Sequence, residues 1–325
     1  MKKFKYVIVT PRMNNGGCLA LHTLCRYLHD LGEDAKVFYL GDPIYDGRNH
    51  ITFWLHWVIF QIKVSIKECI VKLTGDRIKR CFIQKPNGKY RRKYFPKVDD
   101  NTIVIYHENV YGNPLRAKNV VRWLLLYNYN YKYNNGEYYG FSKNDLFFAY
   151  REVFNDYTLN PEKRLLSVSY FDLDLYKRTN YGDRSGKCYI LRKGAGRSDV
   201  PKNIDGIVID DLPEKEKVEV FNKCEYCISY DTQTSYSQIA AMCGCISIVV
   251  PERGKTRNDY RNTKGNGFDK GYGEAFDFDS DEIKYAKETK DLIIGVFQKS
   301  NEDSLNSVKK FIEECDKYFK YFLDK

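Results

Sequence analysis

Short apolar runs alternate with longer amphipathic segments along most of the chain. Residues 4–10, 102–106 and 246–250 are rich in Val, Ile and Tyr, which is typical of strands buried on both faces. Residues 19–31 and 281–289 repeat apolar side chains at helical spacing. The same patterns predict strands at 35–40, 165–170, 188–191, 207–209 and 226–230, and helices at 51–73, 117–126, 215–222, 236–243 and 305–323. Alternation of this kind predicts an α/β protein with parallel sheets.

The first predicted strand is followed by a glycine-containing loop at 11–18 and then by a helix. This order is a Rossmann-like opening, but the loop lacks G-x-G-x-x-G, so a bound dinucleotide is not predicted. Asn15, Gly16 and Gly17 in the loop fit either a simple tight turn or part of a ligand site.

Between residues 224 and 251, two predicted strands enclose a polar turn and a short helix. The turn and its borders contain Tyr230, Asp231, Thr232, Thr234 and Ser235. Ser235 and Gln238 have capping-box spacing, which predicts a helix start near Ser235. A hydroxyl-lined helix start that follows a strand favours an anion, although an ordinary βαβ unit with a capped helix fits the same residues.

A basic turn, residues 192–197, follows the strand predicted at 188–191. Its candidate binding residues are Arg192, Lys193, Gly194 and Arg197. Glycine permits close approach of the backbone to a ligand, and Arg and Lys neutralise phosphate charge. The carboxyl ends of parallel strands share one sheet edge, so we expect the basic turn to lie beside the polar turn at 231–235.

These segments resemble the GT-B glycosyltransferases, in particular the retaining family 4 type and bacterial capsule and lipopolysaccharide enzymes. Alignment on Ala240-Ala241-Met242-Cys243-Gly244 puts Asp231 at the first acidic position of the donor-binding motif. Ile239 stands where those enzymes usually have a second carboxylate, a Glu that holds the ribose. Residues 112–125 resemble their N-terminal domain, which usually has Pro-Glu where this chain has His107-Glu108. The resemblance covers most of the chain and is weak at 41–100.

The resemblance implies an α/β fold with two Rossmann-like domains facing across a cleft. The expected divisions are an acceptor-binding domain at 1–170, a donor-binding domain at 171–300, and a helix at 301–325 that crosses back to the first domain. The implied activity transfers a sugar from a nucleotide-diphosphate sugar to a glycan or polyprenyl-linked acceptor in bacterial surface polysaccharide synthesis.

The expected catalytic residues are Glu108, His107 and Asp231. The expected donor-binding residues are Arg192, Lys193, Gly194, Arg197, Tyr230, Asp231, Thr232, Thr234 and Ser235, and the expected acceptor-binding residues are Asn15, Gly16, Gly17 and Asn113. No cofactor and no metal are expected, because cations and a helix dipole can hold a diphosphate. Two alternatives stay open: a non-catalytic sugar-nucleotide-binding protein, suggested by Ile239, and an epimerase or hydrolase of sugar nucleotides on the same fold.

The net charge of +10 is concentrated in residues 63–97, where twelve Lys or Arg face only Glu68 and Asp76. The preceding helix contains Phe53, Trp54, Trp57 and Phe60, so it fits either a helix in a membrane interface or a buried helix of the domain. A membrane contact through 51–97 is therefore predicted. Nucleic acid is not, because no known module organises the basic and aromatic residues.

The beginning of the sequence is too polar for a signal peptide, and ten cysteines without an export signal predict reduced thiols in the cytoplasm. Peripheral contact with the inner face of the plasma membrane is a further expectation. Cys224-x-x-Cys227 and Cys243-x-Cys245 suggest zinc, but their predicted placement on a strand and a helix end favours free buried thiols. The tyrosine-rich segment 127–139 is interpreted as either a sugar-stacking surface or a solvated loop.

Overall fold

The computed structural model describes residues 3–11, 16–40, 50–74, 96–126, 140–232, 234–260 and 270–323. The chain divides into two compact units, one formed by Met1–Ser169 with Asp303–Lys325 and the other by Tyr170–Glu302. Each unit is built on a five-stranded sheet in which every strand pairing is parallel. The predicted fold class, α/β with two Rossmann-like domains, is therefore confirmed.

In its described residues, the first unit has five strands and two α-helices before the domain boundary. They are β1 (Lys5–Thr10), α1 (Gly16–Asp30), β2 (Asp34–Tyr39), α2 (His50–Thr74), β3 (Thr102–His107), β4 (Asn119–Leu124) and β5 (Leu146–Ala149). The strand order is β2-β1-β3-β4-β5. Ile8 in β1 lies between Val37 of β2 and Ile105 of β3, and Ile8 and Ile105 are fully buried.

Helix α1 begins earlier than the sequence pattern predicts. Gly16 and Gly17 are its first two residues, so they lie in a helix rather than in the expected loop, and Asn15 lies outside the described residues. Leu21, Leu24 and Leu28 are buried at helical spacing and hold α1 against the sheet. The helix ends where Gly32 adopts a φ of 79°, a left-handed conformation that glycine accepts without strain.

The helix predicted at 117–126 is wrong, because residues 119–124 form β4. All six side chains of β4 are buried, including Asn119, Arg122 and Trp123. A segment buried on both faces shows neither the alternation of apolar and polar residues of a half-buried strand nor the polar face of a surface helix. The sequence pattern therefore does not distinguish a strand from a helix here. The Arg122 side chain is fully buried and pairs with Asp145, with 2.8 Å between Nε and Oδ2. Its guanidinium also donates to the carbonyls of Val110 and Gly112 and so holds the chain that follows β3.

Strand β5 was not predicted, and the strand expected at 165–170 is reduced to one bridge between Leu165 and Ala149. Beyond that bridge, residues 167–169 are held by side chains rather than by strand pairing. Ser304 Oγ accepts from the Ser169 amide at 2.9 Å. Ser307 Oγ accepts from the Ser167 amide at 3.0 Å.

The second unit repeats the strand–helix alternation. Its elements are β6 (Lys187–Ile190), β7 (Ile207–Val208), α3 (Glu214–Lys223), β8 (Tyr226–Ser229), α4 (Tyr236–Met242), β9 (Ile246–Val249), α5 (Arg257–Tyr260), β10 (Glu274–Phe276), α6 (Ser280–Thr289) and α7 (Ile293–Leu323). The strand order is β10-β9-β8-β6-β7. Ile190, Ile239 and Phe297 are among the buried side chains that pack its core.

The two sheets have the same connectivity, and this determines where a ligand site is expected. In the first unit the chain crosses from β2 over β1 to reach β3, and in the second it crosses from β7 over β6 to reach β8. The direction of connection therefore reverses between β1 and β3 and between β6 and β8. In open parallel sheets, ligands bind outside the carboxyl ends of the strands at such reversals.

Helix α7 is longer than the helix predicted at 305–323, and its residues from Asp303 onward are grouped with the first unit. Phe311 is fully buried, with its ring centroid 5.0 Å from that of Phe148 and 6.1 Å from that of Tyr6. Phe319 is buried beside Phe4, with a centroid distance of 6.3 Å. The C-terminal part of α7 thus fills the core of the first unit.

Candidate functional site

The basic turn leaves β6 at the reversal point of the second sheet. Arg192 has a φ of 37°, a left-handed conformation that is uncommon for a residue other than glycine. The Asp210 carboxylate stabilises this conformation by accepting from the Arg192 amide at 2.6 Å and from the Leu191 amide at 3.1 Å. The backbone of the turn is therefore fixed by a carboxylate that follows the neighbouring strand β7.

The Arg192 side chain extends along the same sheet edge toward residues after β8. Its Nε lies 3.8 Å from Oδ2 of Asp231, whose side chain is 3% exposed, whereas the Arg192 side chain is 44% exposed. Its guanidinium carbon is 5.3 Å from the centroid of the Tyr236 ring. The structure thus brings Arg192 and Asp231 together, and it leaves part of the guanidinium accessible to a ligand.

Tyr236 is fixed by a charged network formed by Lys217 and Glu214. Lys217 Nζ lies 4.4 Å from the ring centroid and 2.8 Å from Oε1 of Glu214. Tyr236 donates to the same Glu214 oxygen at 2.7 Å, and Tyr176 donates to Glu214 Oε2 at 2.6 Å. Burial and the adjacent Glu214 carboxylate raise the pKa of Tyr236, so it stays a neutral donor. The network gives the ring under Arg192 one orientation.

Gly194 allows the basic turn to pack directly on the residue before Asp231. A Cβ at this position would lie 2.2 Å from the carbonyl oxygen of Tyr230, so a larger residue would force the turn away. Tyr230 is itself 6% exposed. The sequence predicted close approach of Gly194 to a ligand, and the close approach in the structure is to the Tyr230 backbone.

Arg197 uses its guanidinium within the protein. It donates to the carbonyls of Tyr230 at 3.0 Å, Val250 at 2.9 Å and Pro251 at 2.7 Å. It also pairs with both oxygens of Asp199. Arg197 therefore joins the chain after β6, β8 and β9, whereas Arg192 and Lys193 are exposed at the start of the turn.

The helix start after β8 differs from the predicted capping box. Ser235 precedes α4 but makes no side-chain cap hydrogen bond. Thr234 Oγ1 instead accepts from the Tyr236 amide at 3.2 Å. Gln238 reaches Glu274 rather than Ser235, so the capping-box interpretation is wrong. Of the predicted binding residues here, Thr232 and Thr234 are half-buried and Ser235 is exposed.

Glu274 is a buried carboxylate against the first turn of α4. Its Oε1 accepts from Ser237 Oγ at 2.6 Å, and its Oε2 accepts from Gln238 Nε2 at 3.3 Å. Ile239, at the position of the missing family carboxylate, is 3% exposed and packs in the core of the second unit. A carboxylate therefore lies near this helix start, but it comes from β10.

In the first unit, Glu108 directly follows β3 at the corresponding reversal point. The side chain is buried, and its Oε2 accepts from the Leu125 amide after β4 at 2.9 Å. Burial raises the pKa of Glu108 from 4.5 to about 7, although the Leu125 hydrogen bond acts in the opposite direction. A carboxyl group with this pKa can both accept and release a proton near neutral pH.

His107 is half-buried at the end of β3, and burial together with the charge of Arg122 lowers its pKa to about 4. The ring is therefore neutral at pH 7. Its Nδ1 accepts from the Asn109 amide at 3.3 Å, which assigns the remaining proton to Nε2. The nitrogen that could act as a base is thus used by the backbone.

The predicted acceptor-binding residues that the structure describes have different structural roles. Asn113 accepts from the Tyr106 hydroxyl at 3.1 Å and the Ala117 amide at 3.0 Å, and it donates to the Ala117 carbonyl at 2.7 Å. Its amide thus closes the loop between β3 and β4. Gly16 and Gly17 begin α1, and the tyrosine-rich segment 127–139 lies outside the described residues.

The four cysteines weighed as zinc ligands, Cys224, Cys227, Cys243 and Cys245, are buried with free thiols. Among the described residues, no group of three or more His, Cys, Asp or Glu is placed to hold a metal ion.

Sequence reasoning missed several residues that form the site. In the sequence Asp210 is only an acid beside a turn, and nothing there distinguishes Tyr236, Glu214 and Glu274. Asp210 had one usable signal, because it follows a predicted strand next to the strand that ends at the basic turn. The contacts of Glu274 with α4 depend on the packing of β10, which the sequence pattern did not reveal.

Comparisons with known proteins identify no family for this chain. No protein-family model matches the chain, and no curated protein sequence matches it. Among solved structures the chain is similar to the glycosyltransferase SnogD from Streptomyces nogalater, with 10% sequence identity and a TM-score of 0.40, over 97% of this chain and 100% of that chain. At this identity and TM-score, the likeness supports no inference about activity.

Proposed function

We propose that this protein is a glycosyltransferase. It moves a sugar from a nucleotide-diphosphate sugar to a hydroxyl of a glycan or polyprenyl-linked acceptor in bacterial surface polysaccharide synthesis. The observation that supports this most is the arrangement of Arg192, Asp210 and Asp231 at the reversal point of the second sheet. The acceptor class and the polysaccharide role rest on the family resemblance, which is strongest at residues 103–125 and 188–275.

The backbone of Arg192 is the first reason to assign a function to the basic turn. A non-glycine residue in this left-handed conformation costs about 1–3 kcal/mol and persists only where surrounding structure maintains it. Asp210 maintains it here with two hydrogen bonds. A solvated turn would need neither the strained conformation nor a dedicated carboxylate, so we infer that the orientation of Arg192 serves a ligand.

Arg192 and Lys193 are the residues we assign to the diphosphate. Both are exposed at the carboxyl end of β6, and Arg can form two parallel hydrogen bonds to phosphate oxygens. Charge on the leaving diphosphate grows in the transition state, so cations fixed beforehand lower the barrier. Because Arg192 and Lys193 supply the positive charge that stabilises the leaving diphosphate, the proposed reaction needs no metal ion. Arg197, which is engaged by three carbonyls and Asp199, serves as a positioning residue.

Asp231 and Glu274 are proposed to recognise hydroxyl groups of the donor. Asp231 both orients Arg192 and offers a carboxylate beside it, which can accept from a sugar hydroxyl. Glu274 lies against the first turn of α4, next to the position where Ile239 replaces the usual carboxylate. Glu274 is therefore our candidate for the ribose contact, reached by rearrangement of its bonds to Ser237 and Gln238. Thr232, Thr234 and Ser235 supply further hydroxyl groups.

Glu108 is proposed as the base that takes the proton from the acceptor hydroxyl. Its raised pKa, about 7, is suited to a general base near neutral pH. His107 is the weaker choice of the two predicted residues, because its lone-pair nitrogen accepts from the Asn109 amide. With a polyprenyl-linked acceptor, the protein would work in the cytoplasm at the inner face of the plasma membrane.

The test of this proposal replaces the two exposed cations of the basic turn. Arg192→Ala/Lys193→Ala should abolish nucleotide-diphosphate binding in calorimetry and release of nucleotide diphosphate from the donor sugar. The matched control is Lys284→Ala/Lys287→Ala on α6, which removes the same charge from exposed positions. Equal binding by both double variants would contradict the assignment of the basic turn to the diphosphate.

A non-catalytic sugar-nucleotide-binding protein is the second candidate, because Ile239 packs in the core where the family has a carboxylate. To separate the two functions, the protein is given a sugar-nucleotide donor that it binds, and bacterial membrane extract is added as the source of acceptor. Transfer of labelled sugar to lipid or glycan supports the transferase. Tight binding without transfer or release supports the binding protein.

A further inference from the structure

Among the described residues, the contacts of helix α2 with the first unit come from the face that contains Trp54, Trp57 and Gln61. Trp54 and Trp57 pack against the hydrophobic core that contains Phe38 and Val104. Trp57 Nε1 donates to the Tyr39 carbonyl at 2.9 Å, and Gln61 Nε2 lies 3.4 Å from the same oxygen. The two tryptophans predicted to touch a membrane therefore point toward the protein instead.

The opposite face of α2 exposes a row of aliphatic side chains. This aliphatic stripe consists of Leu55, Val58, Ile59, Ile62, Ile66 and Leu73, with exposures between 39% for Ile59 and 87% for Leu73. At about 100° per residue these side chains fall within an arc of about 100°, and at 1.5 Å per residue the stripe is roughly 27 Å long. Scattered exposed aliphatics are ordinary on protein surfaces, but a row of this length on one helix face indicates a binding surface.

Positive charge borders the stripe. Lys63 and Lys67 are exposed, and their positions on the helical wheel place them beside it. The sequence from 63 to 97 contains twelve Lys or Arg and two acids, which accounts for the whole net charge of +10. An aliphatic face bordered by lysines, on a helix that leads into a strongly basic stretch of sequence, is the combination that binds anionic lipid surfaces.

We propose that α2 lies flat on an anionic lipid bilayer, with the aliphatic stripe inserted at the boundary between headgroups and acyl chains and Lys63 and Lys67 at the phosphates. No helix among the described parts of the chain is long and apolar enough to cross a membrane, so the contact is interfacial. A second copy of the chain fits this face less well, because pairing two α2 helices through the stripe would bring Lys63 and Lys67 of both copies together. This inference does not depend on the proposed transferase activity.

The first test is flotation of the full-length protein with lipid vesicles. The protein should bind vesicles that contain one quarter phosphatidylglycerol and bind pure phosphatidylcholine much more weakly. Ile62→Glu/Ile66→Glu should lower the affinity by more than about tenfold, because it removes aliphatic burial and adds repulsive charge. Lys63→Gln/Lys67→Gln should weaken binding about fivefold per lysine.

The matched control places the same charges at exposed aliphatic positions elsewhere. Leu292→Glu/Ile294→Glu changes residues that are 54% and 43% exposed in the second unit, and its vesicle binding should equal that of the unchanged protein. Circular dichroism of each variant checks that the fold is retained. If Ile62→Glu/Ile66→Glu and the control bind equally, the stripe does not contact lipid and the proposal fails.

A second test leaves the stripe unaltered. Cys69 is exposed on α2 between Ile66 and Leu73, whereas the other cysteines in the described parts of the chain are buried. The emission of an environment-sensitive dye attached to Cys69, in a Cys81→Ser background, should shift to shorter wavelength when phosphatidylglycerol vesicles are added. If the protein floats with the vesicles but the dye emission does not shift, binding is due to the basic segment alone, and insertion of the stripe is contradicted. Stripe-dependent dimers in light scattering, without vesicle binding, would overturn the proposal in favour of a second copy.

Discussion

Glu108 is the residue whose ionisation most directly links the first unit to its proposed chemistry. Its pKa in the folded protein is about 7, against 4.5 for an unperturbed carboxyl, because the side chain is buried. The folded state therefore holds a proton that the unfolded state has released between these two pH values. The free energy of unfolding must fall as pH rises through this window and become level above it.

We predict that Glu108→Gln removes this pH dependence. Relative to the variant, the unchanged protein should lose roughly 3 kcal/mol of unfolding free energy as pH rises from about 5 to about 8. Urea unfolding across this range measures the difference. Glu313→Gln, at an exposed position on α7, should follow the unchanged protein. Parallel curves for Glu108→Gln and the unchanged protein would show that the carboxyl is not perturbed.

Asp210 acts at the residue scale through the backbone of Arg192. We predict that Asp210→Ala lowers the affinity for a nucleotide diphosphate about 10- to 100-fold, because two amide groups lose their acceptor and the strained turn relaxes. Calorimetric titration of the variant measures this loss. Asp211→Ala, which changes the neighbouring residue, should bind as the unchanged protein does. If Asp210→Ala keeps full affinity, the basic turn holds its backbone conformation without the Asp210 carboxylate.

At the scale of elements, a helix or strand was predicted correctly where the pattern of apolar and polar residues was clear. Helix α1 and the strands β1, β2, β3, β6 and β8 were predicted to within a few residues because their apolar patterns are short and bounded. Strand β4 was predicted as a helix because all its side chains are buried, Arg122 among them. A buried arginine looks like a surface position in a sequence. Only the Asp145 carboxylate and the carbonyls around it make that burial possible.

The C-terminal part of α7 contributes to the core of the first unit at the same scale. We predict that Phe311→Ala lowers the unfolding free energy of that unit by about 3–5 kcal/mol, since a fully buried ring between Tyr6 and Phe148 is removed. Chemical denaturation measures the loss. Phe278→Ala, at a position that is 54% exposed, should change stability by less than about 0.5 kcal/mol. Similar values for the two variants would show that α7 does not support this core.

Across the whole molecule, strand–helix alternation predicted an α/β protein with parallel sheets, and the family resemblance implied its two domains. The edge of the second sheet where the candidate site lies could be predicted because parallel sheets place their ligands at one edge. The residues that arrange the site could not be predicted in the same way. Asp210, Tyr236 and Glu274 come from three separate segments, and their meeting with Arg192 or α4 depends on packing.

The central claim is that the basic turn and its neighbours form a nucleotide-diphosphate site. The most direct measurement is calorimetric titration of the full-length protein with UDP, GDP, CMP and dTDP, each with and without EDTA. The account predicts micromolar binding of one diphosphate that EDTA does not change. Failure of all four nucleotides to bind would contradict it.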